Sequence, residues 1–232
     1  VNKFRIRANQ LGNARADRRI VIGGLDPETL EKRVAEAPRR PVDRIDDQRV
    51  IAVMARVPRE DYVPAERRAM TYIDRPIPLS GGRALNAPLV TGRLLKEAQV
   101  DAGDKVLLIG AATGYSTALL AEMGAQVTAV EEEGGPEIAV PGVTLVRGAL
   151  AAGAPDGAPY DILFIDGAVE EVPAALVQQL ADGARVVTGI IDRGVTRLCA
   201  GRMVGGALGL SSLADIEMVA LPGFGAAKTF TF

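Results

Sequence analysis

The run Lys105-Val106-Leu107-Leu108-Ile109 passes without a spacer into Gly110 and then into a helical stretch over residues 115–123. A short strand that is apolar at each position after the first is buried on both faces, which happens in parallel sheets covered by helices. The pattern repeats downstream, with apolar runs at 126–130, 143–146, 161–165 and 184–187 and a helical stretch at 173–180. Hydrophobic residues make up 48% of the 232 positions, enough to fill such a core. These features predict an α/β fold with a doubly wound, mainly parallel sheet. Residues 197–204, 215–220 and 228–232 read instead as consecutive strands between Gly/Pro turns, which predicts an antiparallel edge at the C-terminal end.

Ahead of the sheet the chain is helical and loop-rich. Residues 1–24 lack periodicity and end in Gly23-Gly24, so they read as a tail; Asp26-Pro27 then opens a short helix carrying Leu30 and Val34, and Arg39-Arg40-Pro41 reads as a linker. A helix from Asp46 places Val50, Val53, Met54 and Val57 on one face and stops at Pro58. Another is predicted near Pro64, carrying Ala65, Ala69 and Met70, and a third opens at Pro88 with Leu89, Leu94 and Leu95. Residues 73–88 are rich in Pro and Gly and predict loop or short strand. The expected division is an N-terminal extension (1–41), a helical cap with a loop (42–104) and a Rossmann-like core (105–232).

The chain contains no histidine and one cysteine, Cys199. That excludes Ser-His-Asp and Cys-His catalysis, histidine-ligated zinc, a thiolate cluster and an intramolecular disulfide, so no metal is expected. No apolar run reaches the roughly 18 residues that span a bilayer, and the first residues lack a secretory signal, so a cytoplasmic protein without membrane contact is expected. Residues 1–44 carry 11 Lys/Arg against 6 Asp/Glu, and the remainder 16 against 23. With 4% aromatic residues and no basic-aromatic interleaving, the basic leading segment reads as a solvated extension, and no nucleic-acid partner is expected.

The chemistry-bearing feature is the turn Gly110-Ala111-Ala112-Thr113-Gly114-Tyr115, followed 21 residues after Gly110 by Glu131 at the end of the second strand. Small residues let a ligand approach the backbone, and a carboxylate at that strand end can accept hydrogen bonds from both hydroxyls of a ribose. The combination predicts an adenosine-containing cofactor. A dinucleotide fold would read G-x-G-x-x-G, but Ala112 and Tyr115 stand at the second and third glycine positions. A catalytic Tyr with Lys four residues on is absent too, since Tyr62, Tyr72, Tyr115 and Tyr160 are followed there by Glu66, Pro76, Leu119 and Phe164. S-adenosyl-L-methionine, which has no phosphate, suits the turn better. Asp166, at the end of the fourth strand, is a further candidate for the cleft.

Several ordered motifs resemble the protein-L-isoaspartate O-methyltransferase family. Residues 57–64 (VPREDYVP) are similar to its V-P-R-E-x-[FY]-V-P, residues 72–79 (YIDRPIPL) to Y-x-D-x-P-[IL]-P-[IL], and residues 110–115 to G-[TC]-G-[ST]-G-Y. Ala158-Pro159-Tyr160-Asp161 and Val172-Pro173 with Gln179-Leu180 continue the likeness, and Leu221-Pro222-Gly223-Phe224 followed by Phe230 to Phe232 resembles the end of a divergent bacterial branch. The resemblance covers roughly residues 42–232. It implies a seven-stranded class I methyltransferase sheet and transfer of a methyl group from S-adenosyl-L-methionine to the free α-carboxylate of isoaspartyl residues in a damaged protein or peptide substrate. It places Gly110, Ala111, Ala112, Gly114, Tyr115, Glu131, Gly148 and Ala149 at the cofactor and Asn86 at the substrate, in the catalytic position; a strand-end position adds Asp166 to the cofactor set, and the charge of Arg83 in the same loop as Asn86 suits a substrate carboxylate.

Three departures from the family pattern matter. The substrate loop G-Q-T-I-S-x-P is here Gly82-Arg83-Ala84-Leu85-Asn86-Ala87-Pro88, so Asn replaces the serine. Leu108 stands where an acidic residue precedes the turn, and Ala149 stands where an aspartate accepts the adenine amino group. These departures leave two further readings: a non-catalytic descendant that acts as a binding module, and an enzyme using another adenosine-containing cofactor.

Overall fold

The computed structural model describes residues 45–225 and the backbone of the strand Arg19–Ile22. The helix expected from Asp26 and the strand expected over 228–232 lie outside the described residues. The chain enters with β1 (Arg19–Ile22), α1 (Gln48–Arg56), 3-10 turns at Arg59–Tyr62 and Ala65–Met70, the two-residue strands β2 (Ile77–Pro78) and β3 (Ala84–Leu85), and α2 (Pro88–Ala98). There follow β4 (Lys105–Ile109), α3 (Tyr115–Glu122), β5 (Gln126–Glu131), β6 (Thr144–Arg147), β7 (Tyr160–Val169), α4 (Ala174–Val177), β8 (Leu180–Asp192), β9 (Val195–Val204) and β10 (Ala207–Asp215).

Local chemistry sets the helix ends. The Asp47 carboxylate accepts the Arg49 N–H at 2.9 Å and caps α1, which buries Val50 and Val53 and stops at Val57 because Pro58 has no N–H to continue it. Pro88 sits in the first turn of α2, where its missing N–H costs nothing. The helix expected near Pro64 is a 3-10 turn with no buried side chain.

Eight strands form one sheet in the order β1-β10-β9-β8-β7-β4-β5-β6. The five strands β6, β5, β4, β7 and β8 are parallel; β9, β10 and β1 extend the sheet antiparallel. The chain winds outward from β4 through β5 to β6, then returns past β4 to build β7 and β8. The winding therefore reverses between β4 and β7, the point at which doubly wound sheets open a crevice at their strand C-termini. α1, α2 and α3 pack one apolar layer with Val106, Leu108, Ile162 and Phe164; the opposite layer joins Leu107, Ile109, Val130, Leu163 and Ile165 to Leu176 of α4 and Leu150. Among the described residues no helix is long and apolar enough to cross a membrane.

Tertiary contacts overrule several local expectations. The helix expected over 173–180 contracts to α4, because the Gln179 side chain bonds the Ala154 N–H at 2.9 Å and the Ala152 carbonyl at 2.8 Å. Its own carbonyl then accepts the Tyr160 N–H, which draws Leu180 into the sheet. The strand expected over 215–220 is absent; the last antiparallel strand is β10, whose Gly and Ser content weakens its apolar alternation. Residues 216–221 turn back to β7, where Ala168 N–H donates to Val219 O at 2.7 Å and Leu221 N–H donates to Ala168 O at 2.9 Å. Part of the expected tail is β1, which pairs with β10. The sheet thus has eight strands where the resemblance implied seven.

The antiparallel extension is built from two tight hairpins, with left-handed backbone at Arg193 and Gly194 (φ 52° and 79°) and at Gly205 and Gly206 (57° and 78°). Within it, Gly201 pairs with Val186 and Leu210, and a Cβ there would lie 1.8 Å from the Gly209 carbonyl oxygen. Gly201→Ala should therefore destabilise the fold by about 1–3 kcal/mol in urea unfolding. An unchanged midpoint would contradict the close approach of β9 and β10.

Candidate active site

The bend after β4 is left-handed at Gly110, Ala112 and Gly114 (φ 80°, 50° and 94°). Gly110 is required sterically, since a Cβ there would stand 2.9 Å from Leu221 Cδ2 and 3.3 Å from Arg83 Nη2. Ala112 holds a backbone conformation that costs an L-residue about 1–2 kcal/mol. A charged partner offsets this cost: the Ala112 N–H donates to Glu131 Oε2 at 2.6 Å.

Glu131 ends β5 with its carboxylate facing that bend, 0% exposed. Arg83, 3% exposed, grips it with both prongs of its guanidinium, Nε to Oε1 at 2.9 Å and Nη2 to Oε2 at 2.9 Å. The Glu132 N–H adds a fourth donor to Oε1 at 3.0 Å. Such a two-pronged arrangement is the strong, directional form of an ion pair. Gly148, just past β6, donates its N–H to the Glu131 carbonyl at 3.0 Å, so the Gly148-Ala149 step borders the same strand end. Residues 132–143 fold back over the bend and bring Ile138 Cγ2 to 3.0 Å from where a Gly114 Cβ would be.

A second polar cluster lies at the reversal between β4 and β7. Asp166 accepts Ser116 Oγ–H at 2.5 Å and Asn86 Nδ2–H at 2.8 Å. The same Asn86 amide also donates to the Asp166 carbonyl at 3.1 Å and accepts the Val219 N–H at 2.9 Å. Burial pushes the Asp166 carboxyl above its ordinary value, against the hydrogen bonds from Ser116 and Asn86 and the positive charges of Arg59 and Arg83. Arg59, 1% exposed, donates to Asn86 O at 2.7 Å and to Thr71 O at 3.0 Å, and its guanidinium carbon lies 4.8 Å from the centre of the Tyr115 ring. Burial lowers its pKa. Thr113 Oγ donates to Tyr62 O at 2.6 Å, and the Tyr62 and Tyr115 rings lie 5.6 Å apart. The 57–64 motif is thus a brace against the bend.

The candidate residues fall into two adjoining groups: Gly110, Ala112, Glu131 and Arg83 in one, and Asn86, Asp166 and Tyr115 with its neighbours in the other. Leu108 is buried in the apolar layer beneath the bend. Cys199 is buried away from both groups, its thiol pushed up to about 11 by desolvation. Arg59, Ser116 and Leu221 were not among the sequence candidates. Arg59 stood in plain view within VPRE, and its part emerges only when Asn86 and Tyr115 converge on it in space.

The alternating sheet, the left-handed bend and the acidic strand end define a Rossmann-like class I methyltransferase fold. A solved protein-L-isoaspartate O-methyltransferase superposes with a TM-score of 0.68 at 21% identity, over 84% of this chain and 66% of that one. The Plasmodium falciparum structure of that name, in complex with S-adenosyl-L-homocysteine, gives 0.64 at 19% identity, over 85% of this chain and 99% of its own. The protein-L-isoaspartate(D-aspartate) O-methyltransferase family profile matches residues 39–203, and the enzyme of that name from Koribacter versatilis (strain Ellin345) is 33% identical over 188 residues, covering 77% of this chain and 85% of the relative. The chain belongs to the protein-L-isoaspartate(D-aspartate) O-methyltransferase family.

The Asp166 shift predicts a pH dependence. A folded-state pKa above the ordinary 3.8 favours the protonated form, so stability present at the acid end is lost as pH rises from 3.8 through the raised value. Asp166→Asn, neutral throughout and able to keep both hydrogen bonds, should flatten thermal stability over that window and be the more stable form at pH 7. Asp166→Ala should cost about 1–3 kcal/mol by stranding the Asn86 and Ser116 donors. Parallel melting profiles for wild type and Asp166→Asn across pH 3–8 would contradict the assignment.

Proposed function

We propose that this chain is an S-adenosyl-L-methionine-dependent carboxyl methyltransferase acting on L-isoaspartyl residues of damaged proteins. Family membership supports this reading, and one observation carries it to these residues: a fully buried carboxylate, Glu131, aimed at the strand–helix bend. The residues present fit an adenosyl group. Gly110 keeps the bend free of a Cβ, Glu131 supplies an acceptor for ribose hydroxyls, and Gly148 with Ala149 borders the same strand end. Ala111, Ala112, Gly114 and Tyr115 complete the cradle, and Asp166 sits at the sheet's reversal point beside it.

When bound, the cofactor supplies a methyl group on a positively charged sulfur, an activated leaving group. The isoaspartyl α-carboxylate is already anionic at neutral pH, with an ordinary pKa of about 4, so no residue has to remove a proton from it. A chain without histidine is therefore adequate to the chemistry. Its residues have to hold and orient, and alignment of reacting groups is worth several kcal/mol. Arg83 is the cation we assign to the substrate carboxylate. Asn86 acts at the reacting end by positioning, since its amide ties Asp166 to the Val219 backbone and its carbonyl receives Arg59. Leu221, packed against Gly110, helps exclude water from the bend.

Transfer of labelled methyl from S-adenosyl-L-methionine to an isoaspartyl peptide, with none to the same peptide carrying ordinary aspartate, is the expected result. No transfer at all would defeat the reading. Comparing Arg83→Ala with Arg83→Ala/Glu131→Ala isolates Glu131 without leaving a buried cation unpaired. The double variant should bind S-adenosyl-L-homocysteine on the order of 10- to 100-fold more weakly than the single one by calorimetry, the value of hydrogen bonds to a charged acceptor. Equal affinities would remove Glu131 from the site.

A further inference from the structure

We propose that Arg83 is a displaceable latch that couples the two ligands. Its guanidinium holds Glu131 until ribose hydroxyls compete for that carboxylate, and once released it becomes the cation that receives the substrate carboxylate. The proposal rests on the reading of Glu131 as the ribose acceptor.

Four donors converge on Glu131. Two are the backbone N–H groups of Ala112 and Glu132, fixed by the bend and by the end of β5. The other two belong to Arg83, and they occupy both carboxylate oxygens. Among the described side chains, hydroxyls arriving at this carboxylate therefore compete with Arg83 alone. The guanidinium also lies 3.3 Å from the position a Gly110 Cβ would take, so it fills the approach to the bend as well as the acceptor.

The segment carrying Arg83 turns between two anchors: on one side the Leu79 N–H donates to Arg83 O at 2.8 Å and the Arg83 N–H to Ser80 O at 3.3 Å, and on the other Asn86 holds it. Asn86 is tied to Asp166, Val219 and Arg59. Within that turn, exposed Gly81 and Gly82 adopt φ of 65° and 72°, with no atom of a described residue beyond their chain neighbours within 4 Å of either Cβ position. Rotation at these glycines, which opens the Leu79 and Ser80 bonds to the Arg83 backbone, can withdraw Arg83 about the Asn86 anchor without disturbing the Asp166 cluster.

The pair is also incompletely satisfied. Among the described residues, buried Arg83 Nη1 has no hydrogen-bond partner. When neutral hydroxyls engage Glu131, Arg83 loses its carboxylate altogether, and a desolvated cation without a counter-charge is strongly unfavourable. A substrate carboxylate supplies that counter-charge and can accept from the unused donor. Cofactor binding thus creates the demand for an anion, and by linkage each ligand tightens the other.

Calorimetry with S-adenosyl-L-homocysteine and an isoaspartyl peptide on the full chain, wild type and Arg83→Gln, tests this. Removing the latch should tighten S-adenosyl-L-homocysteine binding by about tenfold, while in the wild type that ligand should tighten peptide binding by about tenfold. In Arg83→Gln the coupling should vanish. Hydrogen exchange over residues 80–85 should rise when S-adenosyl-L-homocysteine binds the wild type. Thermal unfolding checks that each variant is folded; should Arg83→Gln fail it, Arg83→Lys, which keeps the charge and loses the two-pronged grip, should bind S-adenosyl-L-homocysteine more tightly than wild type while retaining coupling. Equal or weaker binding of that ligand by the folded variant, or coupling that survives in Arg83→Gln, overturns the latch and leaves the cofactor reading intact. Binding to neither protein defeats the cofactor reading, and the latch falls with it.

Discussion

A carboxylate buried at the end of a parallel strand needs donors, and the way Glu131 finds them organises the site. Two come from the backbone, one of them the N–H of Ala112, whose left-handed conformation that bond supports. Two come from Arg83, some 50 residues earlier in the chain, so the ion pair fastens the loop of the cap to the sheet. Burying the two charges together is tolerable because the fork and the backbone donors occupy the carboxylate's acceptor positions. The arrangement places this carboxylate at the end of β5, facing the bend after β4.

The second support is Asn86. A serine at this position would have one oxygen to offer; the amide reaches Asp166, the Asp166 carbonyl and the Val219 N–H at once. It therefore joins the cap, β7 and the returning C-terminal segment, and Leu221 of that segment covers Gly110. The departures at residues 83 and 86 work as a pair. Asn86 holds the loop in place, and Arg83 projects from it onto Glu131. Leu108 fits the same scheme, since beneath a bend already carrying an arginine and a glutamate it adds apolar packing instead of a third charge.

The parallel half of the fold was legible because its signal is local. Lys105–Ile109 is apolar at each position after the first, and the strand occupies those five residues. α1 and α2 were legible from the apolar face that follows Asp46 and from Pro58 and Pro88, whose backbone chemistry sets helix ends; the cap itself is Asp47, one residue on. Where long-range hydrogen bonds decide the outcome, local reading fails: Gln179 shortens α4, and residues 216–221, which read as a strand of the antiparallel edge, turn back to bond Ala168 of β7. At the site, glycines and an acidic strand end pointed to Gly110 and Glu131. No spacing rule could join Arg83 to Glu131 or Arg59 to Asn86, because these contacts depend on how the cap folds onto the sheet.

The most direct test is a crystal structure of the chain with S-adenosyl-L-homocysteine. The account predicts both ribose hydroxyls within hydrogen-bond distance of the Glu131 carboxylate, with the Ala112 N–H still donating to it and the Arg83 guanidinium moved off. A structure in which the nucleoside is bound while Arg83 still grips both oxygens of Glu131 would contradict it.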